Sequence, residues 1–432
     1  MATAGSAVGL GNIWRFPYMT GQNGGAAFIL IYIVCVFLLG IPGMLCEFIV
    51  GRHGAANAVH AYQQFTNNKR WGAIGYLGVI TSMIILGFYA VVAGWCLQYL
   101  YASVIGEIHG GKAFVEQYFV EFSGDALHPI LWAIAFVIVT QGVRNGIERA
   151  SNLLMPTLFI LLIVIVIASC SLPGAMEGVR FLFKPDLTKI NGTVMMEALG
   201  QAFFSLSLGT ACLCTYASYF SRQTNLLRSA TQIACLDSLI AILAGLMIFP
   251  AAAAVGVRPD SGPSLIFITL PNVFEQAFAG IPGAGYTISI LFYTLLSLAA
   301  LTSTISMHEI GTVFFREEFH IKRSKAACIV TTICCTIAVF CSLSMGDRPE
   351  MQIMGMPILS FCDALTANIL LPLGSFLTCI FLGWFVPKHI VKNEFTNFGT
   401  IGTKVYNTWL FLIRFISPIA ITMIFLHQIG VL

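Results

Sequence analysis

Charge is what this sequence lacks most: of 432 residues only 9% are Asp, Glu, Lys or Arg, where a soluble domain carries about 25%. Such a chain cannot cover a water-facing surface, which excludes a soluble enzyme and a disordered polymer. The balance of 22 Lys+Arg against 19 Asp+Glu leaves a net charge of only +3, with no basic stripe for nucleic acid. Polar loops holding paired cysteines are also missing. The 13 cysteines lie in or beside apolar runs, so neither a disulfide framework nor zinc spacing is present, and they read as small buried hydrophobes. No signal-peptide pattern is visible at the start.

What fills the chain instead is apolar: 57% hydrophobic residues and a mean hydropathy of +0.86. The apolar runs have the length of membrane-spanning helices, about 20 residues each, and not the short alternating segments of a barrel. Eleven are expected, at about 2–20, 25–50, 72–106, 127–143, 150–170, 192–220, 226–257, 282–316, 324–343, 356–386 and 404–430. The expected fold is all-α and polytopic. Placing the loop after the second helix in the cytoplasm collects 14 basic residues on that side, among them Arg52, Arg70, Arg222, Lys322, Arg323 and Lys392, against six opposite. The positive-inside rule supports that orientation.

Two helices carry matching interruptions. The first contains Gly5-Ser-Ala-Val-Gly-Leu-Gly-Asn12, and the sixth contains Ser205-Leu-Ser-Leu-Gly-Thr210. Clustered glycines and hydroxyls at membrane depth favour local unwinding, because glycine weakens a helix and hydroxyls compete for its backbone. Five helices separate one interruption from the next, as an inverted five-plus-five repeat requires, with repeats at about 1–170 and 192–386 and an extra helix at 404–430. Broken helices at corresponding places point to a transporter's midplane site; close packing by small residues explains the same pattern equally well.

The stretch Gly5 to Tyr18, reading GSAVGLGNIWRFPY, resembles the first helix of the neurotransmitter:sodium symporters. So do Asn23-Gly-Gly25, Gly40-Ile-Pro42, Gln201 to Gly209, Thr215 to Tyr219 and Leu301-Thr-Ser303, in family order along nearly the whole chain. Eleven helices without an extracellular disulfide resemble the bacterial branch. The resemblance implies the leucine-transporter fold, which is itself a standard case of inverted repeats, and two sodium ions with no organic cofactor. Sodium 1 would use Ala7, Asn12, Ser205 and Asp237. Sodium 2 would use the carbonyls of Gly5, Val8 and Ala299 with the hydroxyls of Thr302 and Ser303. The substrate carboxylate would meet the amides near Leu10 and Gly11 and the hydroxyl of Tyr89, since helix N-termini favour anions. Its ammonium would take carbonyls near Ser6, Ala7, Phe204 and Ser207.

Gly9 stands where monoamine-transporting relatives carry an aspartate, so the resemblance implies a substrate with its own carboxylate, an amino acid. Its side chain would be enclosed by Ile85, Tyr89, Phe204, Ser207, Thr210, Ser303 and Met307. Thr210, in place of a bulky aromatic, implies a large neutral amino acid, aromatic or branched. Arg15 and Asp363 match an extracellular gate with Phe204 as the lid beneath it. Glu317 matches the acidic half of a cytoplasmic gate near Tyr219, with its basic partner missing. The family's inner gate uses residues before Gly5, which leads to the expectation of a truncated N-terminus. Tyr32, Gln201 and Ser205 match parts of the animal members' chloride site. Asp237 replaces an asparagine of those members, which implies transport without chloride.

The chain is therefore expected to be a multi-pass protein of a bacterial cytoplasmic membrane, a monomer or a homodimer in the lipid bilayer. It would carry a neutral amino acid with sodium by alternating access, and it would not be an enzyme. A membrane sensor that binds an amino acid without turnover is the alternative, disfavoured by the lack of a signalling domain. Three patterns are set aside. His308-Glu309 lacks the second histidine of a zinc protease, Asn191-Gly-Thr193 abuts a membrane helix, and Gly21 to Gly25 has no lysine for a phosphate loop. Glu47 is expected to steady the broken helices. Arg414 and His427 have no evident partner.

Overall fold

The computed structural model describes residues 9–107, 115, 117–119, 121, 147–256, 265–345 and 349–428. Apolar runs of 20 residues and more can satisfy their backbone in lipid only as helices, and helices dominate. A wide turn at Gly11–Arg15 leads into α1 (Phe16–Gln22). There follow α2 (Ala26–Gly54), a short α3 (Ala58–Gln63), α4 (Gly72–Ile105), α5 (Ile147–Cys170) and α6 (Ala175–Phe183). The second half holds α7 (Gly192–Ser205), α8 (Cys212–Ala217), α9 (Leu226–Ala254), α10 (Leu270–Ala277) and α11 (Ala284–Glu318). Then come α12 (Arg323–Leu343), a two-residue hairpin of β1 (Gln352–Ile353) with β2 (Met356–Pro357), and α13 (Ile358–Phe385). The chain closes with α14 (Lys388–Phe395) and α15, which begins at Thr403–Phe411 and runs on through Ser417–Gln428.

Among the described residues, seven helices are long and apolar enough to cross a membrane, and an eighth span counts if α5 and α6, bent by 116°, are taken together. The expected span at 192–220 fails that length test for the reason anticipated, since it is interrupted; residues 2–8 of the span expected at 2–20 lie outside the described residues. The span expected at 127–143 lies outside the described residues. The protein is a multi-pass membrane protein.

The sixth helix breaks where its sequence is rich in glycine and hydroxyls. Between α7 and α8, Ser207 (φ 52°), Gly209 (φ 82°) and Ala211 (φ 60°) take left-handed backbone, which ends regular hydrogen bonding. Gly209 is needed for a second reason. A Cβ there would collide with the backbone carbonyl of Leu371 on α13. Glu47 on α2 holds the break open by accepting the Gly209 N–H at 2.6 Å. Small residues also bring α2 against α8, where a Cβ on Gly51 would strike the Cys214 carbonyl.

Several sequence features find structural uses. Asn191 caps α7 by accepting the Val194 N–H at 2.9 Å, an N-cap role that accounts for its place before the helix. Arg414 donates to the Gly383 carbonyl at 2.5 Å and lies over the Trp384 ring, a partner that the sequence did not disclose. The thirteen cysteines are free, but Cys170, Cys235 and Cys328 are exposed, which corrects the expectation that all are buried: on helices like these an apolar residue can face lipid instead of protein.

Candidate functional site

The break in the sixth helix, the start of the first and the middles of α4, α11 and α13 meet around one cavity. It leaves about 60 Å³ in which the centre of a water-sized sphere can move, several times the space needed for one water. Gly9, Gly11 and Asn12 line it from the first helix, and Ile85 and Tyr89 from α4. Phe204, Ser205, Ser207, Thr210 and Cys212 line it from the broken segment, Ser303, Ser306 and Met307 from α11, and Leu371 from α13. All seven residues expected to enclose a side chain are therefore on its wall. Cys212, Ser306 and Leu371 were not anticipated. Ser306 lies one turn from Ser303 and is tied by the Tyr216 hydroxyl at 2.9 Å; the helical spacing was the signal that could have found it.

The polar end is built on Tyr89 and the first helix. The Leu10 N–H donates to Tyr89 Oη at 3.2 Å, and Tyr89 also hydrogen-bonds the Ser303 side chain. An amide and a hydroxyl thus face each other where the substrate carboxylate was expected. Leu10 itself is fully buried behind the cavity. The space at Gly9 is tight: a Cβ would meet Ser303 Oγ, which would have to turn away, and stand 3.2 Å from Tyr89 Oη.

Beside the cavity is a buried cluster of oxygens. Asp237 on α9 is 0% exposed and Asn12 is 1% exposed. Asn12 Nδ2 donates to Asp237 Oδ1 at 2.7 Å, to the Asp237 carbonyl at 3.1 Å and to Ser205 Oγ at 3.1 Å. Ser205 Oγ donates to Asp237 Oδ2 at 2.7 Å, and Tyr32 Oη donates to the same oxygen at 3.0 Å. Among the described residues every donor to this carboxylate is neutral and no cationic side chain pairs with it. Hydrogen bonds lower the cost of burying an ion but leave its charge uncompensated. Asn12 and Ser205 border both the cluster and the cavity, so a ligand in one touches the other. Gln201 lies close by, donating to the Gly11 carbonyl at 3.3 Å.

Of the second oxygen set, Ala299, Thr302 and Ser303 are buried along α11, and Thr302 Oγ1 donates to the Ala299 carbonyl at 3.0 Å. Gly5, Ser6, Ala7 and Val8 lie outside the described residues.

The expected gates are placed unevenly. The Arg15 guanidinium lies over the Phe204 ring, 4.3 Å from its centroid, and donates to Gln201 Oε1 at 3.4 Å. Phe204 in turn covers the cavity. Among the described residues no ion pair joins Arg15 to Asp363. At the opposite end Glu317 Oε2 accepts the Asn57 N–H at 2.6 Å. Tyr219 is 62% exposed, and partial burial together with the nearby Glu309 and Glu317 raises its phenol above the ordinary value.

The model of the sodium:neurotransmitter symporter family matches residues 1–118 and 120–432. The chain is 37% identical over 441 residues to an uncharacterised sodium-dependent transporter of Bacillus subtilis, covering 100% of this chain and 96% of the relative. It is 33% identical over 447 residues to an uncharacterised sodium-dependent transporter of Haemophilus influenzae, covering 99% and 96%. Among solved structures it is similar to MhsT in complex with L-phenylalanine, with a TM-score of 0.90 and 39% identity, covering 98% of this chain and 96% of that one. The resemblance read from the motifs is borne out, as is the expectation of a transporter and not an enzyme: the chain belongs to the sodium:neurotransmitter symporter family.

Proposed function

We propose that this protein moves a large neutral amino acid, aromatic or branched, into a bacterial cell together with two sodium ions. The observation that carries this reading is the sharing of Asn12 and Ser205 between the cavity and the Asp237 cluster. A substrate carboxylate seated at Leu10, Gly11 and Tyr89 would complete the first sodium shell with Asn12, Ser205 and Asp237, so that each ligand needs the other. Ala299, Thr302 and Ser303, with Gly5 and Val8, would hold the second ion. Oxygen donors suit a hard cation.

Gly9 supports an amino acid over an amine, because glycine supplies no acidic side chain to replace the substrate's carboxylate. The apolar wall of Ile85, Phe204, Met307 and Leu371 supports a hydrophobic side chain, and the phenylalanine bound by MhsT, 39% identical, agrees with it. Tyr32 and Ser205 both donate to Asp237, which supports transport without chloride: the residues that would cradle an anion already hold a fixed one. The bundle of the first, second, sixth and seventh helices would rock against the rest around this site, Arg15 and Asp363 closing above it and Glu317 with Tyr219 below. Uptake of labelled amino acids into proteoliposomes tests the reading. Accumulation of phenylalanine, tryptophan, leucine or isoleucine driven by an inward sodium gradient is expected; binding without uptake would favour a sensor.

A further inference from the structure

The basic residues Lys322, Arg323 and Lys325 at the start of α12 put that end in the cytoplasm and the Leu343 end outside. The chain turns there through the β1–β2 hairpin and re-enters as α13. The two helices meet in antiparallel register. The Leu359 N–H of α13 donates to Ser344 Oγ, just past α12, at 3.4 Å. Three residues further in on each helix, the Cys341 and Cys362 side chains are in hydrogen-bond contact. One helical step on both partners relates these contacts, so the meeting of the thiols follows from the packing of the helices. Cys341 is buried and Cys362 is partly exposed. The other touching pair, Cys46 with Cys379, is 0% and 2% exposed in the interior, where no oxidant reaches.

We propose that Cys341 and Cys362 form a disulfide at the extracellular face, a reversible staple that restrains α13 above the cavity. The reaction needs a small disulfide as oxidant. The Cys362 thiolate attacks it, forming a mixed disulfide and releasing one thiol; Cys341 then attacks the Cys362 sulfur and releases the second. Two cysteine thiols are oxidised by two electrons, the small disulfide is reduced to two thiols, and the two protons pass to those products. The consequence for the site runs along α13. Cys362 precedes Asp363, and nine residues further, about 14 Å at helical rise, Leu371 forms part of the cavity wall and presses on Gly209 of the broken segment.

The full-length protein, oxidised with glutathione disulfide or reduced with dithiothreitol, is alkylated and digested for mass spectrometry. A linked Cys341–Cys362 peptide pair and the loss of alkylation at both of these cysteines are expected on oxidation, with no linked pair in C341S or C362S. Cys341 and Cys362 both still alkylatable after oxidation, or a Cys362 that only accumulates as its glutathione adduct, would overturn the staple, whether or not the protein transports amino acids. Uptake by the unmodified protein should slow on oxidation and recover on reduction, with C341S indifferent to both. Unchanged uptake by a fully linked protein would overturn the restraint on α13.

Discussion

Two buried carboxylates, Asp237 in the middle of the membrane and Glu394 at its cytoplasmic edge, are satisfied in opposite ways. Glu394 meets a cation: Arg52 Nε reaches its Oε2 at 2.7 Å, with side chains only 2% and 10% exposed. The same guanidinium donates to the Glu394 carbonyl at 2.6 Å and the Thr224 carbonyl at 2.7 Å, and His53 Nδ1 lies 3.3 Å from the other carboxylate oxygen. Burial alone would raise the Glu394 carboxyl, but His53 and Arg52 overcome it and hold it below the ordinary range. Among the described residues the Asp237 side chain meets only an amide and two hydroxyls. Equal attention to hydrogen bonds thus leaves one carboxylate neutralised and the other still charged. A fixed pair fastens helices together, whereas an unmatched charge at membrane depth is a functional group by default.

The largest effect should follow removal of the unmatched charge. Two unit charges about 4 Å apart interact by roughly 4 kcal/mol at an effective dielectric near 20. Asp237→Asn, which keeps the shape and most hydrogen bonds, should therefore weaken sodium activation of uptake by two to three orders of magnitude while leaving thermal stability nearly unchanged. A melting temperature that falls in step with activity would make Asp237 a second structural residue and dissolve the contrast.

Glu394→Gln should do the reverse. It strands the buried Arg52, and breaking a buried pair costs about 3–5 kcal/mol, so a lower melting temperature is expected with sodium affinity unchanged in the surviving protein. The pH dependence sharpens this test. Because the folded-state pKa of Glu394 is depressed, its contribution is present above the unfolded value, near 4.5, and lost as pH falls through the folded value. The gap in melting temperature between parent and variant should be constant from about pH 7 to pH 5 and narrow below about pH 4. A gap that stays constant throughout would contradict the pairing.

The contrast was only partly legible in the sequence. Spans such as 72–106 and 282–316 match α4 and α11 within a few residues, because lipid allows an apolar run of that length a single solution. The short α3, α6, α10 and α14 were missed, since they lie outside the hydrophobic stretches and carry no comparable signal. Asn12, Ser205 and Asp237 were anticipated through motifs, and the structure brings those three together; their role in sodium binding is our proposal. Leu371 was out of reach, because only the close approach of α13 to Gly209 brings it to the cavity. Arg52 and Glu394, separated by 342 positions, likewise depend on packing that no local pattern records.

A smaller effect separates the cavity from the charge beside it. Thr210 Oγ1 donates to the Ser207 carbonyl at 2.7 Å, so its side chain turns into its own loop and leaves the wall open. Thr210→Phe should reduce binding of phenylalanine and tryptophan by about 1–3 kcal/mol through overpacking, with little change for alanine or in sodium activation. Equal losses for all substrates would remove Thr210 from the pocket. The smallest effect belongs to His53, whose side chain is 31% exposed. His53→Ala should cost less than about 1 kcal/mol of stability, as partly exposed pairs do. A loss as large as that of Glu394→Gln would show that the imidazole, and not Arg52, carries the balance.

The central claim is that Asp237 supplies a negative charge that would otherwise have to be bound. Initial rates of sodium-driven uptake into proteoliposomes, measured with chloride replaced by gluconate at constant sodium, test it most directly. The parent protein should transport equally in both anions, and Asp237→Asn should regain activity when chloride is added. Collapse of parental uptake in gluconate would contradict the account.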